Sequence, residues 1–199
     1  MGLIVEILGL VVFLGAHVLV SMRDERAALI SKVGQGPYRG LFSLVSIVGI
    51  VLICYGFATY RAAGLIPVWY PPPWTRHIVE VLMWPASVMV TAAYIPGNIK
   101  RVLKHPMLAG VKTWAFAHLC ANGDLGGIIL FGSVLAWAVY DRITLKRRSD
   151  PGAPPIPVGG GKNDIIALIV GTIIYLALGF VFHPAVIGVP AFAAPGSGQ

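Results

Sequence analysis

The sequence predicts an all-α membrane protein, built as a six-transmembrane-helix bundle with both termini on the outer side. Of its 199 residues 57% are apolar and only 12% are charged, about half the charged share of a soluble domain. The mean hydropathy is +0.80. Six stretches carry little or no charge, and each is close to the roughly 20 residues that cross a bilayer. This composition excludes a sizeable soluble domain, so any chemistry lies among the helices or in short loops.

The six predicted spans follow one another along the chain. They cover residues 2–21, 40–60, 78–95, 106–122, 124–140 and 165–183. The first lacks a basic leading region and a small-residue cleavage site, so we predict a retained span and not a cleaved signal. The fourth is short and contains Lys112, but Pro106 is typical of a helix start. Pro184 is predicted to end the sixth.

Two further segments are predicted to lie outside the helices. Residues Pro151–Gly161 read PGAPPIPVGGG, a composition that breaks helices and is typical of a linker. The tail from Pro184 to Gln199 has three prolines and no charge. We therefore expect the bundle to occupy residues 1–183.

The distribution of basic residues predicts the orientation. Loops 22–39, 96–105 and 141–164 hold 12 of the 15 Lys and Arg residues. Since cytoplasmic loops collect Lys and Arg, these three loops are predicted to be cytoplasmic, which places both termini outside. The net charge of +7 is thus an orientation signal, and we expect membrane lipids and no nucleic acid as partners.

Ionisable side chains inside the spans are costly and mark candidate functional positions. Glu6 and His17 are 11 residues apart on the first span, which places them within about 20° of each other around the helix. We predict that this face looks into the bundle. A row of polar side chains that only forms hydrogen bonds to neighbouring helices would show the same spacing.

The fourth predicted span carries a second histidine. His118 shares a helical face with Trp114 and is predicted to be buried, whereas His105 lies at the inner interface. Lys112 is expected to extend toward the cytoplasmic surface or to pair with a carboxylate. Two buried histidines are compatible with haem ligation, a bare metal site, a proton relay or structural hydrogen bonds. A bare metal needs more ligands, whereas haem needs at most two from the protein.

Three segments resemble the NnrU family of bacterial membrane proteins, which is distantly similar to 15-cis-ζ-carotene isomerase. The segments read GAHVLVSMRDERAAL, GPYRGLFSLVSIVG and KHPMLAGVKTWAFAHLCANGD. The resemblance covers residues 1–183 and implies haem b, with His17 and His118 as axial ligands. His105 matches another histidine shared by the motif. Ala115 stands where the isomerase branch has a cysteine, which argues against a sulfur-linked change of ligand.

Other polar and aromatic residues are candidates for contacts to the haem. Arg23 and Arg39 lie in the first cytoplasmic loop, where arginine is suited to clamping propionates, although both also serve the topology. We add Lys112 and Trp114 as cofactor-binding candidates. Glu6 and His105 are retained as additional candidates near the iron.

The resemblance implies a multi-pass protein of the bacterial inner membrane with its termini in the periplasm. One hypothesis is a haem-dependent cis–trans isomerase of an apolar lipid or isoprenoid, or a denitrification-linked haem factor. The alternative is a non-enzymatic assembly or stability factor that partners a nitrite or nitric oxide reductase. A small membrane methyltransferase is the weaker alternative, because loop 141–164 offers only a basic Pro/Gly-rich stretch for a nucleotide-sized cofactor.

Overall fold

The computed structural model describes residues 1–147 and 159–192. Residues 151–158 of the predicted linker and 193–199 of the predicted tail lie outside the described residues. The regular elements of the described ranges are all helical. They are α1 (Gly2–Ser21), α2 (Arg23–Val33), α3 (Gln35–Ala62), α4 (Thr75–Tyr94), α5 (Asn98–Leu103), α6 (Pro106–Ala121), α7 (Leu125–Arg147), α8 (Gly161–Ala177) and a π-helical segment (Leu178–Ile187).

Five helices in the described ranges are long and apolar enough to cross a membrane. They are α1, α3, α4, α7 and α8 together with the π-helical segment. The predicted fourth span corresponds to α6, which has 16 residues and is shorter than these five. The all-helical class is thus confirmed, while the count of six spans stays a prediction.

The first cytoplasmic loop was predicted at 22–39, but most of it is helical. Residues Arg23–Val33 form α2, with Asp24 and Glu25 in the first turn and Lys32 in the last. These charges complement the helix dipole, and the intervening residues are good helix formers. Gly34 separates α2 from α3 with a φ of 88°, a conformation that glycine adopts at little cost.

Contacts divide the chain into two compact units. Unit 1 contains residues 1–70 and 122–147 of the described chain, and unit 2 contains residues 71–121 and 159–192. Each unit is described by itself below.

In unit 1, α1 lies antiparallel to α3, and glycines allow the two helices to approach each other closely. A Cβ added to Gly49 would lie 2.8 Å from the Cβ of Phe13, and one added to Gly56 would collide with the backbone nitrogen of Glu6. α7 also packs on α1, where the Ser21 hydroxyl donates to Asp141 Oδ1 at 2.6 Å. The backbones of α1 and α3 therefore approach too closely for larger side chains at these positions.

At the opposite end of unit 1, the segment after α3 is bonded to the start of α7. The Val68 N–H donates to the Gly123 carbonyl at 2.8 Å, and the Leu125 N–H donates to the Ile66 carbonyl at 2.9 Å. Asp124 Oδ1 accepts the Gly127 N–H at 2.8 Å, which caps α7. These bonds hold residues 66–68 and 123–125 at one end of the unit, away from Ser21 and Asp141.

In unit 2, α4 contacts both α6 and α8. Gly110 of α6 and Gly171 of α8 both face α4. A Cβ added to Gly110 would lie 2.8 Å from the Ala86 carbonyl oxygen, and one added to Gly171 would lie 2.7 Å from the Val88 Cα. Near the start of α8, Asp164 Oδ1 accepts the Ile99 N–H at 2.9 Å. The antiparallel course of α8 along α4 follows from these contacts.

The sixth predicted span continues beyond its expected end at residue 183. Pro184 was predicted to end the helix near residue 183, but the π-helical segment runs through it from Leu178 to Ile187. Proline lacks an N–H and clashes with the carbonyl one α-helical turn earlier. The wider π turn accommodates this ring, and the segment ends at Gly188 with a φ of 75°. Such π segments are rare and are frequently found at functional sites.

Candidate functional site

His17 is held in a single orientation within unit 1. Its Nδ1 lies 2.7 Å from the Phe13 carbonyl oxygen. Because a carbonyl only accepts hydrogen bonds, Nδ1 carries the proton and the neutral ring has its lone pair on Nε2. The ring is half-buried among aromatic neighbours, with centroids at 4.2 Å for Phe13, 5.2 Å for Phe42 and 5.3 Å for Trp137.

Four buried donors on this unit lack a hydrogen-bond partner among the described residues. They are Trp137 Nε1, Arg26 Nε and the hydroxyls of Tyr38 and Ser46. The Arg26 guanidinium carbon lies 5.6 Å from the centroid of the Tyr38 ring. Buried donors are normally satisfied, so these groups are suited to bind an anionic oxygen ligand.

The sequence prediction had favoured other arginines for this role. Arg39 is exposed and Arg23 is half-buried. The distribution of basic residues along the chain does not separate either of them from Arg26. Tyr38 was missed, although it precedes Phe42 by one helical turn and therefore lies on the face that contacts His17. Trp137 was missed because nothing in its apolar span sets it apart.

Glu6 shares the inward face of α1 with His17, as predicted. Its side chain is completely buried, with 0% exposure, and neither carboxyl oxygen has a hydrogen-bond partner among the described residues. Its Oε2 lies 3.1 Å from the position of a Cβ added to Gly126 of α7. The polar stripe thus faces the interior of unit 1.

His118 repeats the geometry of His17 in unit 2. Its Nδ1 lies 2.8 Å from the Trp114 carbonyl oxygen, so its lone pair is also on Nε2. The ring is half-buried and its centroid is 5.2 Å from that of Trp114 and 6.3 Å from that of His183. The place of His183 beside His118 depends on tertiary packing, because the two residues are distant in the sequence.

The other predicted residues of unit 2 lie on the same helix or just before it. Lys112 is half-buried on α6. His105 is also half-buried, and its carbonyl accepts the Ala109 N–H at 3.1 Å as α6 begins. Lys104, the residue before His105, has a φ of 62°. The carbonyl of His105 thus takes part in the first turn of α6.

The two units divide the predicted site residues between them. Unit 1 contains Glu6, His17, Arg23 and Arg39, and unit 2 contains His105, Lys112, Trp114 and His118. Within the described ranges, three or more His, Cys, Asp or Glu side chains nowhere form a group that could hold a metal ion. This finding does not bear on haem, whose porphyrin supplies four of the iron ligands.

Each unit by itself offers one histidine whose donor atom fits haem ligation. Its Nδ1 is bonded to a carbonyl, so Nε2 is the ring nitrogen that an iron would need. Aromatic rings surround both histidines, and the orphaned donors Arg26 and Tyr38 are suited to a propionate.

Comparison with known proteins identifies one family. The family model described as NnrU protein matches residues 5–191 of the chain. The matched range contains both histidines and every other candidate site residue described above. A search of the curated proteins and of the solved structures found no match.

Proposed function

Because this chain belongs to the NnrU family, we propose that it binds haem b, with His17 and His118 as the residues that would hold the iron. The observation that carries the proposal is that both rings form the same kind of hydrogen bond. Each donates Nδ1–H to the carbonyl four residues earlier, at 2.7 Å and 2.8 Å. Metal-ligating histidines are typically oriented by such a bond on the other ring nitrogen.

The surrounding residues would supply the rest of the cofactor environment. Arg26, Tyr38 and Trp137 offer unsatisfied buried donors for a propionate, in addition to Arg23 and Lys112. Trp114 stacks near His118. When bound, haem supplies one-electron redox chemistry, and we propose that this serves either cis–trans isomerisation of an apolar lipid or isoprenoid, or a denitrification-linked redox reaction.

We also propose six spans, with both termini in the periplasm and the protein in the bacterial inner membrane. The bonds between residues 66–68 and 123–125 support this topology, because they join the segment before α4 to the segment after α6. If α4 crosses the membrane, α6 must cross back. Its 16 residues extend about 24 Å, which is slightly less than a hydrocarbon core.

The absorbance spectrum of the purified protein tests haem binding. We expect protein from haem-replete cells to show a haem spectrum that changes on reduction. The spectrum should be altered by His17→Ala and by His118→Ala. His77→Ala is the matched control, because His77 is an exposed histidine of α4.

Colourless wild-type protein would overturn the haem proposal. So would a spectrum that is identical in the wild type and in the His17→Ala/His118→Ala double variant. Colourless protein that co-purifies with a nitrite or nitric oxide reductase would instead support a non-enzymatic assembly or stability factor.

A further inference from the structure

Glu6 has an unusual environment for a carboxyl group. It is the largest completely buried side chain in the described part of the chain, and both oxygens lack a hydrogen-bond partner there. An ionised carboxylate without a donor in such an environment is strongly disfavoured, because it loses its hydration and gains no compensating hydrogen bond. A neutral carboxylic acid avoids most of this cost.

Two glycines pack closely on Glu6. Gly56 of α3 packs on its backbone, and Gly126 of α7 packs on both its Oε2 atom and the Tyr60 ring. A single added Cβ at Gly126 would already lie 2.6 Å from Tyr60 Cδ1. The smallest ligand of a carboxylate, a proton, needs no additional room.

Asp124 is a second carboxyl group near Glu6, and its surroundings are different. It is half-buried at the start of α7, where its Oδ1 accepts the Gly127 N–H at 2.8 Å. The two carboxyl groups border adjacent glycines of α7. Glu6 Oε2 lies 3.1 Å from the position of a Cβ added to Gly126, and Asp124 Oδ2 lies 2.9 Å from that of a Cβ added to Gly127. Negative charges on both groups would therefore repel each other.

Tyr60 is the titratable group that faces Glu6 from α3. Its ring packs against Gly126 beside Glu6 Oε2, and its hydroxyl accepts the Ile66 N–H at 2.9 Å. Tyr60 is 4% exposed. This hydroxyl therefore belongs to the same end of unit 1 as Asp124, where the segment after α3 meets the start of α7.

We propose that Glu6 and Asp124 form a proton-binding site in unit 1, with the proton held on Glu6 and exchanged with water through Asp124. In the exchange step, an O–H bond of Glu6 breaks, its proton passes to an entering water molecule and from there by way of an Asp124 oxygen to bulk water, and Glu6 is transiently a carboxylate. The step involves no change of oxidation state. The proposal does not depend on haem binding.

Infrared spectroscopy of the full-length protein in lipid tests the site. We expect a carboxylic-acid carbonyl band at neutral pH that shifts in heavy water and is absent in Glu6→Gln. Glu25→Gln is the matched control, because Glu25 is an exposed residue of α2, and it should keep the band. In Asp124→Asn the band should remain while its hydrogen–deuterium exchange becomes several-fold slower.

A second measurement covers the case in which Glu6→Gln fails to fold. In the unmodified protein, carbon-13 labelling of glutamate should shift the band, and labelling of aspartate should leave it in place. Absence of the band at neutral pH, its persistence in folded Glu6→Gln, or its shift on aspartate labelling would overturn the proposal.

Discussion

The imidazole rings of His118 and His183 lie with centroids 6.3 Å apart and planes inclined by 34°. They come from α6 and from the π-helical segment, which are far apart in the sequence. His183 is therefore the histidine that packs beside His118 in unit 2, where it would support the orientation of the His118 ring if that ring holds an iron.

We expect His183→Ala to weaken haem retention about tenfold, the cost typical of losing a residue that supports a metal ligand. His118→Ala should remove the haem altogether. The measurement is haem loss to an apo-protein acceptor, followed by absorbance. His77→Ala should behave like the wild type, and an equal effect of His77→Ala and His183→Ala would contradict the role of His183.

We predict that Arg26, more than Arg39, holds an anionic group of the cofactor. Arg26 has a buried Nε without a hydrogen-bond partner among the described residues, whereas Arg39 is exposed. Arg26→Gln should therefore lower haem retention several-fold in the same assay. Arg39→Gln removes the same charge from the neighbouring helix α3 and serves as the control. The prediction is wrong if the two variants lose haem at the same rate.

The glycines between α1 and α3 are predicted to control stability. Gly56→Ala places a methyl group against the Glu6 backbone, which should lower the free energy of unfolding by about 1–3 kcal/mol. Gly15→Ala has open space around the added methyl and should be neutral or slightly stabilising, since alanine favours helix. Thermal unfolding in detergent, followed by circular dichroism, measures both. Equal melting temperatures would refute the close approach.

We predict that α6 crosses the membrane. In a background with Cys54 and Cys120 replaced by serine, single cysteines at Tyr70 and Gly123 should react with a membrane-impermeant maleimide from the periplasmic side. A cysteine at Arg101, in α5, should react only after the membrane is opened. Labelling of the Gly123 and Arg101 positions from the same side would show that α6 does not cross.

Much of the helical layout could be predicted from the sequence, because apolar length and charge are local properties. Five of the six predicted apolar stretches correspond to helices long enough to span, and the family suggested by three segments is confirmed. The helix ends were less predictable. The helix α2 follows from terminal charges and helix-forming residues that hydropathy alone does not register. The continuation through Pro184 depends on local backbone geometry.

The sequence by itself determined which polar groups lie within apolar helices, namely Glu6, His17, Lys112 and His118, because each interrupts an apolar run. Only the tertiary structure decided which of them have partners. Helix packing brought His183 to His118, placed the first turn of α7 against Glu6, and left Arg26 and Tyr38 as buried donors without partners in the described chain. These relationships join residues distant in sequence, so they depend on which helix faces pack together.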